Sequence, residues 1–140
     1  MKFWDASAIV PLLASEAGSA ARDVLLAEDP VMVVWWATRV ECRSALVRKQ
    51  DEAKGGEEDF RRATARLDRL ARCWIEMGPL EVVRSAAERC LRLHRLRTAD
   101  AFQLAAALVA CRFEPGQLPF VCSDSRLAEA ANREGFPVIR

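Results

Sequence analysis

Apolar positions fall along this chain in two kinds of run, and their spacing separates strands from helices. Short apolar-rich runs at residues 2–5, 31–34, 74–77, 120–122 and 136–139 predict strands. The unbroken Val31-Met32-Val33-Val34 suits a strand buried on both faces rather than an alternating one. Pro137 lacks a donor and places the last strand at an edge. Helical spacing fills the intervals. A short helix capped by Ser7 runs to Leu13, with Pro11 tolerated only near its start. Gly18-Ser19 opens a second helix to about residue 27, and a third spans 37–49. Residues 57–71 form a charged amphipathic helix with Phe60, Ala63, Leu67 and Leu70 as its apolar stripe. Another helix covers 80–93. A nearly all-apolar one follows over 96–110, with Thr98 in the N-cap position. The last helix, 127–133, stops at Gly135. Turns fall at Asp29-Pro30, 51–56, Gly78-Pro79 and around Pro115-Gly116 and Pro119. Strands alternating with single or paired helices predict one domain over residues 1–140, a three-layer α/β/α sandwich with a short, mainly parallel sheet.

Composition narrows the partners. The formal charge of +1 gives no bulk attraction to nucleic acid or membrane, so any polyanion site must come from local patterning. Most basic residues are arginine, which suits bidentate contact with phosphates and carboxylates, although biased genome composition produces the same excess. Cys42, Cys73, Cys90, Cys111 and Cys122 are scattered without a CxxC pair, which fits neither a disulfide framework nor a zinc site. No apolar run approaches a membrane span, and Asp5 comes too early for a signal peptide. The expected compartment is the reducing cytoplasm.

Four carboxylates stand out. Asp5 and Asp124 each end a strand, and ligands in parallel sheets sit outside the carboxyl ends of strands. Glu41 lies inside a helix between Val40 and Cys42 without an i,i+4 partner. Asp100 is the lone acid in the first turn of the apolar helix. Each has an ordinary reading. Asp5 can cap through the N–H of Ser7 or Ala8, and Asp124 through that of Arg126 or Leu127. Glu41 can pair with Arg97 or Arg126, and Asp100 can simply complement the helix dipole. One shared cause covers all four, a hard divalent cation. Two carboxylates about 4 Å apart repel by roughly 4 kcal/mol at an effective dielectric near 20, and Mg²⁺ or Mn²⁺ removes that cost. A water oriented by such an ion can attack phosphorus.

Other chemistries fit less well. A haloacid-dehalogenase-type phosphatase needs a second aspartate where Ser7 stands, and there is no phosphate-binding Gly-Lys-Ser/Thr loop or Gly-x-Gly fingerprint. His94 sits at an arginine-rich helix end, where the dipole favours it; phosphate contact is its alternative role.

These motifs carry a family resemblance. Phe3-Trp4-Asp5-Ala6-Ser7 resembles the opening of PIN domains. Glu41 within Thr38–Leu46 resembles their helix glutamate, Arg97-Thr98-Ala99-Asp100-Ala101 their central aspartate motif, and Val121-Cys122-Ser123-Asp124 with Gly135 the last one. Size and plan are most similar to the VapC-type toxins of bacterial toxin–antitoxin pairs. That resemblance implies a Mg²⁺- or Mn²⁺-dependent ribonuclease. It implies a homodimer neutralised by a small antitoxin and meeting operator DNA only through the antitoxin complex. It places Asp5, Glu41, Asp100 and Asp124 on the metal; Ser7 and Ser123 are the candidates to stand behind them, and Arg97 and Arg126, with Arg95 or His94 nearby, the candidates to contact RNA phosphates. Two departures stand out. Cys122 replaces a hydroxyl residue usual two before the aspartate, where Ser123 is the substitute. Trp35-Trp36 replaces a capping Ser or Thr and reads as core or dimer surface, with base stacking as the alternative. A second functional reading is a module whose work is antitoxin binding without strong catalysis, and a third is a nuclease or phosphatase with a non-RNA substrate.

Overall fold

Each apolar run becomes a strand of two to four residues in a computed structural model that describes residues 1–14, 19–52 and 56–140. In chain order the elements are β1 (Lys2–Trp4), α1 (Ala6–Leu13), α2 (Ser19–Glu28), β2 (Met32–Trp35), α3 (Thr38–Glu52) and α4 (Glu57–Leu70). Then come β3 (Ile75–Met77), α5 (Glu81–His94), α6 (Thr98–Ala110), β4 (Phe120–Val121), α7 (Ser125–Glu134) and β5 (Val138–Ile139). A single 3₁₀ turn, Pro115–Gln117, lies in the loop before β4.

The sheet order is β3-β2-β1-β4-β5, and every pairing is parallel. The chain steps outward from β1 to β3, then returns to lay β4 against the other side of β1. Because parallel crossovers are right-handed, reversing direction switches the face on which the helices pack. The buried side chains follow this rule. Phe3, Val33, Trp35, Phe120 and Cys122 point into one core with α5, α6 and α7. Trp4, Met32, Val34 and Val121 point into the other, with α1, α3 and α4. The result is a three-layer α/β/α sandwich whose reversal point lies between β1 and β4.

Helix α6 lies close under the sheet because its inner face is small. Ala101, Ala105, Ala106 and Ala107 are fully buried, and α5 presents Ala86, Ala87 and Cys90 toward the same core. Phe3, Phe120 and Phe136 fill the centre of that core, with Phe120 stacked on Phe3 at 5.3 Å and tilted against Phe136 at 5.5 Å.

Several boundaries differ from the pattern, mostly through capping. Asp5 rather than Ser7 caps α1, since its carboxylate accepts from the Ser7 N–H and the helix begins at Ala6. Pro11 therefore sits inside α1, not near its start. Arg97 holds the N-cap position of α6, so Thr98 is already helical and Asp100 is the third helical residue. Asp124 caps α7 through Leu127, which starts that helix at Ser125, two residues before the spacing suggests. Helix α3 continues to Glu52, into the segment expected as a loop; residues 53–55 of that loop, and Gly18, lie outside the described residues. The edge position expected for the last strand is observed for β5.

Candidate active site at the sheet reversal

Adjacent crossovers leave in opposite directions where β1 and β4 meet, and this opens a crevice at their carboxyl ends. Asp5 follows β1 and Asp124 follows β4, so the two acids flank that crevice. Glu41 enters from the first turn of α3 and Asp100 from the first turn of α6. The four form a gradient of depth. Asp5 is only 4% exposed, Glu41 and Asp100 are half-buried, and Asp124 faces solvent.

Their charges are coupled. Burial holds the Asp5 carboxyl above its ordinary value; hydrogen bonds from Ser7 oppose the rise and the charge of Asp100 adds to it. Burial also raises Glu41, opposed by the Gln103 amide and reinforced by Asp5 and Asp100. For Asp100, burial and then Asp124 push upward, while Arg97 and Arg126 pull downward. Each of these acids is thus destabilised in its charged form by burial and by at least one other member of the set. Perturbed acids of this kind recur at cation-binding and proton-exchanging sites, and in structural charge networks as well.

Hydrogen bonds orient the acids through one oxygen each. Asp5 Oδ2 accepts from the Ser7 backbone N–H at 2.9 Å and from the Ser7 hydroxyl. Ser7 Oγ accepts in turn from the N–H groups of Ser123 at 2.9 Å and Asp124 at 3.2 Å, which ties the end of β1 to the end of β4. Asp124 Oδ1 accepts from the Leu127 N–H at 2.8 Å, and Glu41 Oε2 from Gln103 Nε2 at 2.9 Å. The capping roles of Asp5 and Asp124 are therefore real, and each cap engages one carboxylate oxygen.

The remaining expected residues divide. Ser7 is the central connector. Ser123 contributes its backbone N–H to Ser7, but its hydroxyl accepts from Arg22 at 3.1 Å. Cys122 stands behind the acids, with Sγ 3.7 Å from Asp5 Oδ2 and 3.3 Å from the Asp124 carbonyl oxygen. Burial, with the Asp5 charge, pushes its thiol up to about 12, so it stays protonated at neutral pH. Arg97 and Arg126 lie near enough to Asp100 to favour its charge. Arg126 also donates to the Arg95 carbonyl at 3.2 Å, and Arg95 adopts a left-handed conformation at the end of α5. Glu41 meets Gln103 and forms no ion pair with Arg97 or Arg126 among the described residues. Trp35 belongs to the core, stacked on Phe102 at 5.3 Å, whereas Trp36 is exposed.

His94 is placed elsewhere in the bonding scheme. Its Nε2 lies 2.6 Å from Glu134 Oε1, while Arg89 makes a two-pronged contact with the same carboxylate at 3.0 Å on each arm. Burial works against the Glu134 charge, yet the hydrogen bonds of Arg89 and His94 bring its pKa below the ordinary 4.5. Its stabilising contribution is then complete above 4.5 and is lost as pH falls through the lower folded value. Glu134→Gln is expected to cost about 1–3 kcal/mol at neutral pH. Its deficit against the wild type should shrink in acid-denaturation series below pH 4.5; a deficit constant across pH would contradict the ion-pair role.

Two partners escaped the sequence reading. Gln103 is buried and spans Thr38 Oγ1 at 3.0 Å and Glu41 at 2.9 Å. Its signal was present: a polar residue in an alanine-rich helix, three after Asp100 and hence on the same face. Arg22 had no such signal, being one arginine among many.

A parallel α/β sheet with acids gathered at its reversal point is a nuclease-like fold, and the comparisons agree. The chain belongs to the PIN domain family, whose pattern it matches over residues 2–132. Among solved structures it is similar to PAE2754 from Pyrobaculum aerophilum, at 19% identity and a TM-score of 0.67, covering 92% of this chain and 78% of that one. At that identity the likeness speaks for the fold. No curated protein matches the chain.

All four acids offer hard oxygen donors, the set a divalent cation of the Mg²⁺ type takes. Among the described residues, however, no three acidic, histidine or cysteine side chains stand together closely enough to form a ligand shell as placed. The donor chemistry fits such an ion, while the described side chains as placed do not bring three ligands together.

Proposed function

We propose that this protein is a divalent-cation-dependent endoribonuclease that serves as the toxin of a toxin–antitoxin pair. The observation that carries the reading is the electrostatic coupling of Asp5, Glu41, Asp100 and Asp124 at the sheet reversal of a PIN-family chain. Asp5, Glu41, Asp100 and Asp124 would hold Mg²⁺ or Mn²⁺ directly or through water. When bound, the ion would supply Lewis-acid activation of water and neutralise charge on the phosphodiester. The protein's own groups do the rest. Arg97 and Arg126 draw the phosphate toward Asp100. Asp124 or Asp100 would accept the proton of the attacking water. Ser7 and Gln103 hold Asp5 and Glu41 in orientation. The homodimer and a small protein antitoxin belong to the same proposal and are supported by the likeness of the motifs to VapC-type toxins.

The test is direct. Purified protein is incubated with unstructured RNA, and with DNA of the same sequence, in Mg²⁺, in Mn²⁺ and in excess chelator. Cleavage of RNA that requires the cation is the expected result. Cleavage undiminished by chelator, or cutting confined to DNA, would overturn the reading.

A further inference from the structure

Arg22 is the one arginine of the described residues that is buried, 7% exposed, and it has no carboxylate partner among them. Exposed arginines on α3, α4, α5 and α7 pair with Asp68, Glu58, Glu81 and Glu129. Arg22 has the Ser123 hydroxyl as its hydrogen-bond partner. A guanidinium carries five N–H donors, and because none of the Arg22 nitrogens is a buried atom left without a partner, those that Ser123 does not take reach the surface and stand free for an anion. Burial lowers its pKa, a cost to the charged form.

Its position gives the cost a use. Ser123, which Arg22 touches, donates its N–H to Ser7, and Ser7 in turn holds Asp5. Arg22 comes from α2, whose Leu25 and Leu26 pack in the core on the α1 side of the sheet. Arg97 and Arg126 come from the opposite layer, beside Asp100. A strand lying across the carboxylates would therefore meet an arginine on each side.

The geometry points to Arg22 as the seat of a backbone phosphate of single-stranded nucleic acid, on the α2 side of the carboxylate crevice. This rests on the nuclease reading above. The anion supplies the counter-charge that the described residues do not, and Ser123 aims the guanidinium through one donor while the others face the phosphate.

The test uses Arg22→Met and Arg22→Lys, each in an Asp100→Asn background so that RNA is not consumed. Binding of a short unstructured RNA is measured across a salt series. Arg22→Met should weaken binding about tenfold and reduce the slope of log affinity against log salt by about 0.7, the loss of one phosphate contact. Arg22→Lys should restore most of that slope. Without RNA, Arg22→Met should melt no lower than its parent, because it removes an unpaired buried charge. An unchanged slope with cleavage intact in the wild type would overturn the Arg22 assignment and leave the nuclease reading standing. Inorganic phosphate provides the separate arm. It should raise the melting temperature of the wild type and not of Arg22→Met, even if no RNA is cut, in which case only the nuclease reading falls. Should Arg22→Met fail to fold, the Arg22 Nε–H resonance of the wild type must move saturably with added phosphate; a fixed resonance would overturn the seat.

Discussion

Asp5→Asn and Asp100→Asn are each expected to reduce Mg²⁺-dependent RNA cleavage by roughly 10²–10³-fold or more while leaving a folded protein, a loss of the size seen when a preorganised electrostatic group is removed. The two parts of that expectation have separate causes. Asparagine keeps an oxygen that can accept from the Ser7 N–H, so the cap of α1 survives at position 5. Burial already opposes the charge of Asp5, and Asp100 repels it, so removing the charge relieves strain in the metal-free protein. At position 100 burial and the Asp124 charge likewise oppose the carboxylate, so the amide gives up a favourable charge near the helix start but relieves a larger opposing one. Activity falls because a neutral amide is a poor ligand for a hard cation and cannot take up a proton. The check is a paired measurement of cleavage rate and of melting temperature with and without Mg²⁺. Stabilisation by Mg²⁺ should be lost together with cleavage. Full activity in either folded variant would remove the carboxylate crevice from the account.

Phe120→Ala should show the opposite pattern. Phe120 is fully buried on β4, stacked on Phe3 and tilted against Phe136, and truncating such a ring typically costs about 3–5 kcal/mol. Domains of this kind have only about 5–15 kcal/mol of stability in total, so the loss should move the denaturant midpoint strongly. Its reach includes the site, because β4 carries Asp124 and the Val121 carbonyl accepts the Asp5 N–H at 3.0 Å. Even so, none of the four carboxylates is altered. At low temperature, where the variant remains folded, cleavage should persist at a large fraction of the wild-type rate. A stable Phe120→Ala variant would mean that the aromatic cluster does not anchor the central strands. An unstable one that is inactive even when folded would mean that the crevice tolerates no relaxation of β4.

Much of the site was legible because strand ends are local events. Asp5 and Asp124 each close a short apolar run, and a parallel sheet assigns ligands to that end. Asp100 was legible as the lone acid in an apolar helix. The alternative readings of Asp5 and Asp124 as caps are borne out, since each accepts a backbone N–H of the helix it precedes. What the pattern misjudged was which residue does the capping. Ser7 looked like a cap by type, but Asp5 reaches the free N–H first and Ser7 is released to bridge β1 and β4. Glu41 was recognised as an interior acid in need of a partner, and the partner turned out to be an amide from α6 rather than an arginine.

Periodicity, run length and punctuation depend on neighbours along the chain, so the α/β class, the elements and the four candidate acids could be read from them directly. Strand order depends on contacts between residues far apart, and no local pattern encodes it. That β4 returns to the side of β1, and so brings Asp124 and its Ser123 neighbour to Asp5, follows from right-handed crossovers and the packing of two separate cores. The same long-range packing placed Gln103 against Glu41, set His94 on Glu134, and buried Arg22 beside Ser123 without an acid to match it among the described residues. Burial of a polar side chain and the choice of its partner are decided by which surfaces meet, and those surfaces exist only once the sheet is assembled.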